Sequence, residues 1–420
     1  MLNFLRFHRL PALLSGSLLL FAGGILANVG NYAFNLTMGR LLPAAQYGDM
    51  IVLFSLGTIL AVPTVGIINI VTRDVARLQA AGQQSAIAGL VSGGTRKFLA
   101  AGLLLMVLFL AVTPLIVTVF HLSPLPTVLY AATLALTFLV ALNQGTVQGL
   151  ERFRALSAFL SLQIALKLVL GIGLVVAGYG LVGAIGGVVL AQGLFFLAMT
   201  VFLTRRLAPA PSAARIWKIR TKENQAVILG VLLFYIFLNL DLLFAKHFFD
   251  PDTAGAFAVL TTLGRIILFA TGSVAVALLP MASRLDVTPQ RSARLLGMAL
   301  ALVYVPGFLV AYGYALFPSF VVDLLFPGYE SIKSNLGLYG GLSALFGLLN
   351  LLVYYFIAVS DYRFIYVLGG SLVLSAGLMA AYHQSFFELI TAAVAGCSVA
   401  VLGCLALLAA WRRPPEAAAA

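Results

Sequence analysis

Lys167 sits in LQIALKLVLG, Arg265 in TTLGRIILF and Asp241 in FLNLDLLFAKHF, and each is surrounded by aliphatic and aromatic neighbours. A charge inside such a run is costly to desolvate, so it faces a partner or a polar cavity. At the helical rise, Lys167 lies about 20 Å from the inner end of its run, and Arg265 about 16 Å and Asp241 about 10 Å from the outer ends of theirs. An ammonium and a guanidinium at that depth suit phosphate, the first as a point charge and the second as a bidentate donor. The carboxylate suits an ion pair or coupling to substrate or a proton. Side chains tilt toward the helix N-terminus, which carries Arg265 back toward the depth of Asp241, so the two are expected to pair. Asn28, Asn31 and Asn35 recur at i, i+3 and i+7 as a polar stripe, which serves either helix–helix hydrogen bonding or a hydrated lumen.

These side chains are held by a chain that is 62% hydrophobic and 9% charged over 420 residues, with a mean hydropathy of +1.07. Soluble domains are about 45–50% apolar, so this one belongs in lipid. A hydrocarbon core of about 30 Å takes about 20 apolar residues per helix. Windows of that length place twelve spans at 13–38, 48–72, 93–120, 125–149, 154–178, 180–204, 224–247, 254–281, 293–317, 334–358, 363–383 and 386–411. With the N-terminus inside, twenty of the 25 Lys and Arg fall on the cytoplasmic side, Arg40, Lys246 and Lys333 fall outside, and Lys167 and Arg265 lie within spans. That asymmetry predicts cytoplasmic termini and a multi-pass membrane protein. The run after Arg6 and Arg9 continues to about Leu36, longer than the about 7–15 residues of a signal peptide core, and reads as a retained first helix.

The net charge of +12 follows from basic loops, and no nucleic-acid-reading motif accompanies it. Cys397 and Cys404, seven apart on one helix and so about 10 Å from each other, are placed for packing and not for a disulfide. No GxxxxGK[ST], HExxH or GxSxG is present and the four histidines are scattered, so neither a catalytic site, a metal site nor a cofactor is expected. The longest outer loop, 317–335, offers Asp323, Glu330 and Lys333, which is little for a membrane polymerase or ligase. Glycine pairs such as Gly145/Gly149 and Gly183/Gly187 predict close helix packing.

Six spans precede the basic stretch RRLAPAPSAARIWKIRTKENQ and six follow it. Setting Gly48 over Gly255 aligns RLLPAAQYGDMIVLFSLG with HFFDPDTAGAFAVLTTLG, each with a turn, a glycine and a second glycine nine residues on. In the first copy Pro43 and Gly48 read as turn and helix-start residues, Tyr47 as an interfacial aromatic, and Arg40 as a cation at the outer mouth. An even number of spans per half predicts parallel halves. The expected fold is therefore an all-α integral membrane protein of about twelve transmembrane helices in two six-helix lobes related by a pseudo-two-fold along the membrane normal. The lobes are expected at 1–206 and 224–420, joined by a cytoplasmic basic connector at 207–223 that lies on anionic headgroups.

GRLLPAAQYGDMIVLFSL after the first span, VQGLERFRAL, FLNLDLLFAKHFFDPDTAGAFAVLTTLGRI and ALLPMASRL occur in an order and spacing that resembles the polysaccharide-exporter and O-antigen flippase branch of the multidrug/oligosaccharidyl-lipid/polysaccharide (MOP) exporter superfamily. The resemblance covers essentially the whole chain. It implies a V-shaped pair of lobes that moves a polyprenyl-pyrophosphate-linked oligosaccharide to the outer leaflet by alternating access, for O-antigen, capsule or exopolysaccharide assembly. It further implies a cationic lumen, for which Lys167, Arg265 and Arg40 are the candidates, and membrane lipids, a polysaccharide polymerase and chain-length machinery as partners. A secondary exporter of small solutes is the alternative. The MATE drug exporters of the same superfamily lead one to expect acids in the spans of the first lobe, whereas Asp49 and Asp74 read as helix-end residues and Asp241 as the sole buried acid.

Overall fold

In hydrocarbon a backbone closes all its hydrogen bonds only as a helix or a closed barrel. Helices and turns, with no strand, make up the described residues. The computed structural model describes the backbone of residues 9–207, 222–282 and 289–410 and the side chains of 23–207, 225–268 and 297–410. Most of the expected connector, residues 208–221, lies outside the described residues.

The chain divides into two compact units, Met1–Thr221 and Lys222–Ala420. The first contains α1 (Arg9–Leu41), α2 (Ala44–Leu60), α3 (Pro63–Ala80), α4 (Gln84–Phe120), α5 (Pro124–Gly149), α6 (Phe153–Leu174) and α7 (Gly180–Thr204). The second contains α8 (Lys222–Phe248), α9 (Pro251–Ala282), α10 (Pro289–Leu316), the short α11 (Pro318–Leu325), α12 (Leu336–Ala358), α13 (Phe364–Ala381) and α14 (Phe386–Ala409).

Among the described residues eight helices are long and apolar enough to cross a membrane, and α2 with α3 make a ninth if the bent pair is one span. One of the eight, Phe153–Thr204, is 52 residues long and holds two expected spans, α6 and α7. They are joined by the π turn Val175–Tyr179, where Gly178 at φ 94° breaks the helical path. Helices α1 and α9, whose side chains are described only in part, occupy the places of the first and eighth expected spans. The chain is a multi-pass membrane protein.

The second span departs from expectation. In place of one helix at 48–72, α2 and α3 meet at a bend of 47°. Pro63 has no N–H to give the carbonyl of Ile59 and its ring crowds that carbonyl, so the helix breaks there. Under the Gly48/Gly255 alignment Pro63 falls over Ala270, and α9 accordingly runs unbroken from Pro251 to Ala282.

Glycines set the helix contacts. A Cβ at Gly145 would stand 2.8 Å from Val71 Cβ and 2.9 Å from the Ile68 carbonyl oxygen, and one at Gly149 would stand 2.7 Å from both Val75 Cβ and the Thr72 carbonyl oxygen. Helices α3 and α5 therefore touch backbone to backbone, and Thr72 Oγ1 donates to the Gly145 carbonyl at 3.2 Å. Gly187 likewise lies against the backbone of Gly171, bringing α7 onto α6. Gly149→Leu is expected to cost about 1–3 kcal/mol by overpacking, seen as a lower Tm of the detergent-solubilised protein. Gly369→Ala, with nothing within 4 Å of its Cβ, should leave that Tm unchanged.

Candidate functional site

In the first unit α6 carries Lys167 to α1 and α2. Its Nζ donates to Asn31 Oδ1 at 2.9 Å and lies 4.3 Å from the Phe34 ring centroid and 4.8 Å from that of Phe54. Asn31 is oriented for this by its own Nδ2, which donates to the Ala27 carbonyl one turn back at 3.0 Å. Two aromatic faces attract the ammonium through their quadrupoles, yet among the described residues only one of its three N–H donors meets an oxygen. Along the same helix Tyr32 Oη and Asn35 Oδ1 are buried with no hydrogen-bond partner. Lys167 is half-buried, as are Asn31 and Asn35, whereas Asn28 and Arg40 are exposed. The structure thus brings Lys167 and Asn31 into contact, and places Asn28 and Arg40 outside that contact.

In the second unit Asp241 on α8 is 0% exposed. Its Oδ2 accepts from Tyr339 Oη of α12 at 2.6 Å and its Oδ1 from the Leu242 N–H at 2.8 Å. Two residues back, Asn239 Oδ1 accepts from Arg265 Nη2 of α9 at 3.0 Å. Arg265 and Asp241 therefore belong to one neighbourhood, but the hydrogen bonds of the carboxylate come from a phenol and a backbone amide and not from the guanidinium. The physical reason is the position of Tyr339. It packs edge-on against Phe257, with centroids 5.8 Å apart, and lies on Gly264, where the missing Cβ lets its ring approach. That close approach brings its hydroxyl to the carboxylate.

The same device occurs in the first unit. With Gly48 over Gly255, Gly57 falls over Gly264, and a Cβ at Gly57 would collide with the Tyr130 ring of α5 just as one at Gly264 would collide with Tyr339 of α12. Both tyrosines come from the fourth span of their half. Phe34 falls over Asp241 in this register, so one position supplies a ring face for a cation in the first unit and a carboxylate in the second. Tyr130 in turn packs on Phe54, centroids 6.1 Å apart, which is the second ring under Lys167. The alignment of two glycines was the signal for these partners. It could not name Tyr130 and Tyr339, which lie far along the chain.

The stretch QYGD of α2 corrects the sequence reading. Tyr47, expected at the membrane interface, is 0% exposed. Asp49, read as a helix-end residue, is 5% exposed, so Asp241 is not the sole buried acid. Its Oδ2 accepts from both the N–H and the hydroxyl of Ser123, at 2.9 and 2.7 Å. Ser123 precedes Pro124 at the start of α5, so the carboxylate satisfies an otherwise orphaned donor at that helix N-terminus. Gln46 Oε1 does the same for α7, accepting from the Leu181 N–H at 3.1 Å. The turn itself is only Leu42 and Pro43, and Gly48 lies inside the helix, as Gly255 does in α9.

Among the described residues no group of three His, Cys, Asp or Glu side chains comes together. Cys397 and Cys404 are buried and unbridged.

No family model matches the sequence, and no curated protein matches it. Solved structures do. An inward-facing multidrug resistance MATE family transporter of the MOP superfamily superposes with a TM-score of 0.68 over 91% of this chain and 95% of its own, at 14% identity. A eukaryotic MATE transporter gives 0.67 over 96% and 97% at 13% identity. The outward-facing form of a MATE transporter of the MOP superfamily gives 0.62 over 95% and 96% at 15% identity. The chain has the fold of the MATE transporters of the MOP superfamily. That fold is built of two six-helix lobes, and these neighbours are transporters and not enzymes.

Removal of the hydroxyl that holds Asp241, in Tyr339→Phe, is expected to cost about 1.5–3 kcal/mol, because the bond is to a charged group. Asp49→Ala, which strands two donors of Ser123, should cost about 1–3 kcal/mol, and Asp49→Asn less, because an amide oxygen still accepts. Thermal unfolding in detergent reads both, and an unchanged Tm in Tyr339→Phe would contradict the assigned geometry.

Proposed function

We propose that the chain exports a polyprenyl-pyrophosphate-linked oligosaccharide from the cytoplasmic to the outer leaflet of a bacterial inner membrane, supplying surface polysaccharide assembly. The observation that carries this reading is the state of the buried charges. Asp49 Oδ2 and both oxygens of Asp241 accept from protein donors, whereas the ammonium of Lys167 gives one N–H to an amide oxygen and, among the described residues, keeps two donors for a ligand. The cluster around Lys167 is therefore a receptor for an anion, and a pyrophosphate has the charge and the acceptors it lacks. Tyr32 Oη and Asn35 Oδ1 offer further hydrogen bonds along the same helix. Arg265 supplies a second cation in the other unit, and Arg40 an exposed one at the end of α1 where the product leaves. Asp241, held by Tyr339, is the group whose protonation couples to movement. Both termini lie in the cytoplasm in this reading, and a polymerase with its chain-length machinery takes the product.

Export of small solutes is the second reading, and Asp49 favours it, since a buried acid in the first unit is what a carrier of organic cations would use. The two are separated by binding to the purified protein of geranylgeranyl pyrophosphate and of ethidium, each followed by thermal shift. The lipid pyrophosphate is expected to stabilise the wild type, and Lys167→Ala to weaken its binding by about ten- to a hundredfold, the worth of one charge-assisted hydrogen bond. Stabilisation by ethidium alone would decide for the small-solute exporter. In cells, Lys167→Ala and Arg265→Ala should each lower surface polysaccharide while inserting normally; wild-type polymer in both variants would refute the role of these cations.

A further inference from the structure

Among the exposed residues of α10, which include the aliphatic Leu302, Val305 and Leu309, three are aromatic. Tyr304, Phe308 and Tyr312 recur at four-residue spacing and are 46%, 50% and 55% exposed. The Tyr304 and Phe308 rings are stacked, centroids 5.6 Å apart and inclined by 19°. Tyr304 lies about 22 Å from the first residue of a helix about 42 Å long, which is the middle of the membrane if α10 crosses it. On the opposite face Tyr314 is buried and donates its hydroxyl to the Leu263 carbonyl at 3.0 Å. Tyr304 and Tyr312 have no such bond among the described residues. Pro306, one turn from Leu302 and exposed like it, also denies the Leu302 carbonyl its helical donor.

A phenol hydroxyl and a peptide carbonyl without partners are costly in hydrocarbon. The two phenols therefore make the Tyr304–Tyr312 stripe a poorer surface for acyl chains than the aliphatic residues beside it. The counterpart of α10 in the first unit, the third span α4, has an exposed proline inside the helix too, Pro114, but beside it Leu103, Leu104, Val107, Leu108, Val112 and Leu115 are exposed, with no aromatic ring or hydroxyl among those six, so the rings and phenols and not the proline set α10 apart. Beyond Tyr304 the α10 surface turns into a groove of about 270 Å³ lined wholly by apolar groups, among them Leu300, Leu348, Leu352 and Leu405. Ring faces with hydroxyls at their edge on one side of Tyr304, and pure hydrocarbon on the other, match a ligand that changes character in the same way.

We infer that the exposed face of α10 is a carbohydrate track, on which Tyr304, Phe308 and Tyr312 stack against sugar rings of the translocating glycan while the two tyrosine hydroxyls bond to sugar hydroxyls. This rests on the lipid-linked oligosaccharide reading and names where that substrate's glycan is carried. Flat apolar sugar faces pack on aromatic rings, and successive rings at one helical turn, about 5–6 Å, let a sugar be handed from one to the next.

The test uses Tyr304→Cys, Phe308→Cys and Tyr312→Cys in membrane vesicles, with Leu104→Cys on the aliphatic face of α4 as control. The native Cys397 and Cys404 are buried, which keeps the background low. The label is a membrane-impermeant thiol reagent, and the competitors are a short-chain prenyl pyrophosphate bearing a trisaccharide and the same prenyl pyrophosphate without sugar. The three α10 positions are expected to react faster than residue 104 and to be protected by the sugar-bearing probe only. Tyr304→Phe and Tyr312→Phe, which keep the rings, should each weaken that probe by about two- to tenfold and leave the sugar-free one unaffected. Reaction no faster than at residue 104 would place the face in lipid and overturn the track. So would equal protection by both probes, or none by either while both still bind. If neither probe binds the wild type, the lipid-linked substrate itself is refuted and the track falls with it.

Discussion

Hydrocarbon offers no hydrogen bonds, and every polar group that this chain carries into its interior has to find one within the protein. The ends of helices feel that requirement most, because each N-terminus leaves donors with no intrahelical acceptor. The segment QYGD meets it twice. Gln46 accepts from the start of α7 and Asp49 from the start of α5, so a single turn of α2 ties two other helix ends in the first unit. A stretch that looks out of place in so apolar a sequence is in this sense what organises one end of its six-helix unit.

Buried charge is handled by the same rule with different partners. Asp49 and Asp241 are each held by a hydroxyl and a backbone N–H, a serine in one unit and a tyrosine in the other. Lys167 is held by an amide oxygen and two ring faces, which leaves it short of acceptors. The carboxylates already have protein donors, whereas the ammonium has donors to spare for a ligand.

The two units answer one architectural problem with one solution and then diverge in chemistry. A glycine nine residues after the first in the second span admits a tyrosine from the fourth, Tyr130 on Gly57 and Tyr339 on Gly264. Around that shared contact the register position of Phe34 and Asp241 carries an aromatic ring in one unit and an acid in the other. Pro63 breaks the second span of the first unit, and Ala270 leaves that of the second intact. The close-packed glycine is thus common to the two units, and its surroundings differ.

By itself the sequence determined the class and the layout. A run of apolar residues long enough to cross a bilayer is visible without any tertiary knowledge, because helix formation in lipid is driven by the backbone's own hydrogen bonds. Pro63 and the glycine pairs likewise act locally, through a missing N–H or a missing Cβ. The depth of Lys167, Asp241 and Arg265 was legible for the same reason, being only a count of residues along a helix. What the sequence could not decide is which way a side chain turns about that helix and what meets it there. Asp49 reads as a helix-end residue until Ser123, 74 positions on, is found against it. Tyr47 reads as an interfacial ring until the unit closes over it, and nothing local names Tyr339, brought in over Gly264, as the hydroxyl that meets Asp241. Those outcomes depend on helices distant in the chain packing at particular rotations, a property of the assembled unit that no local pattern encodes.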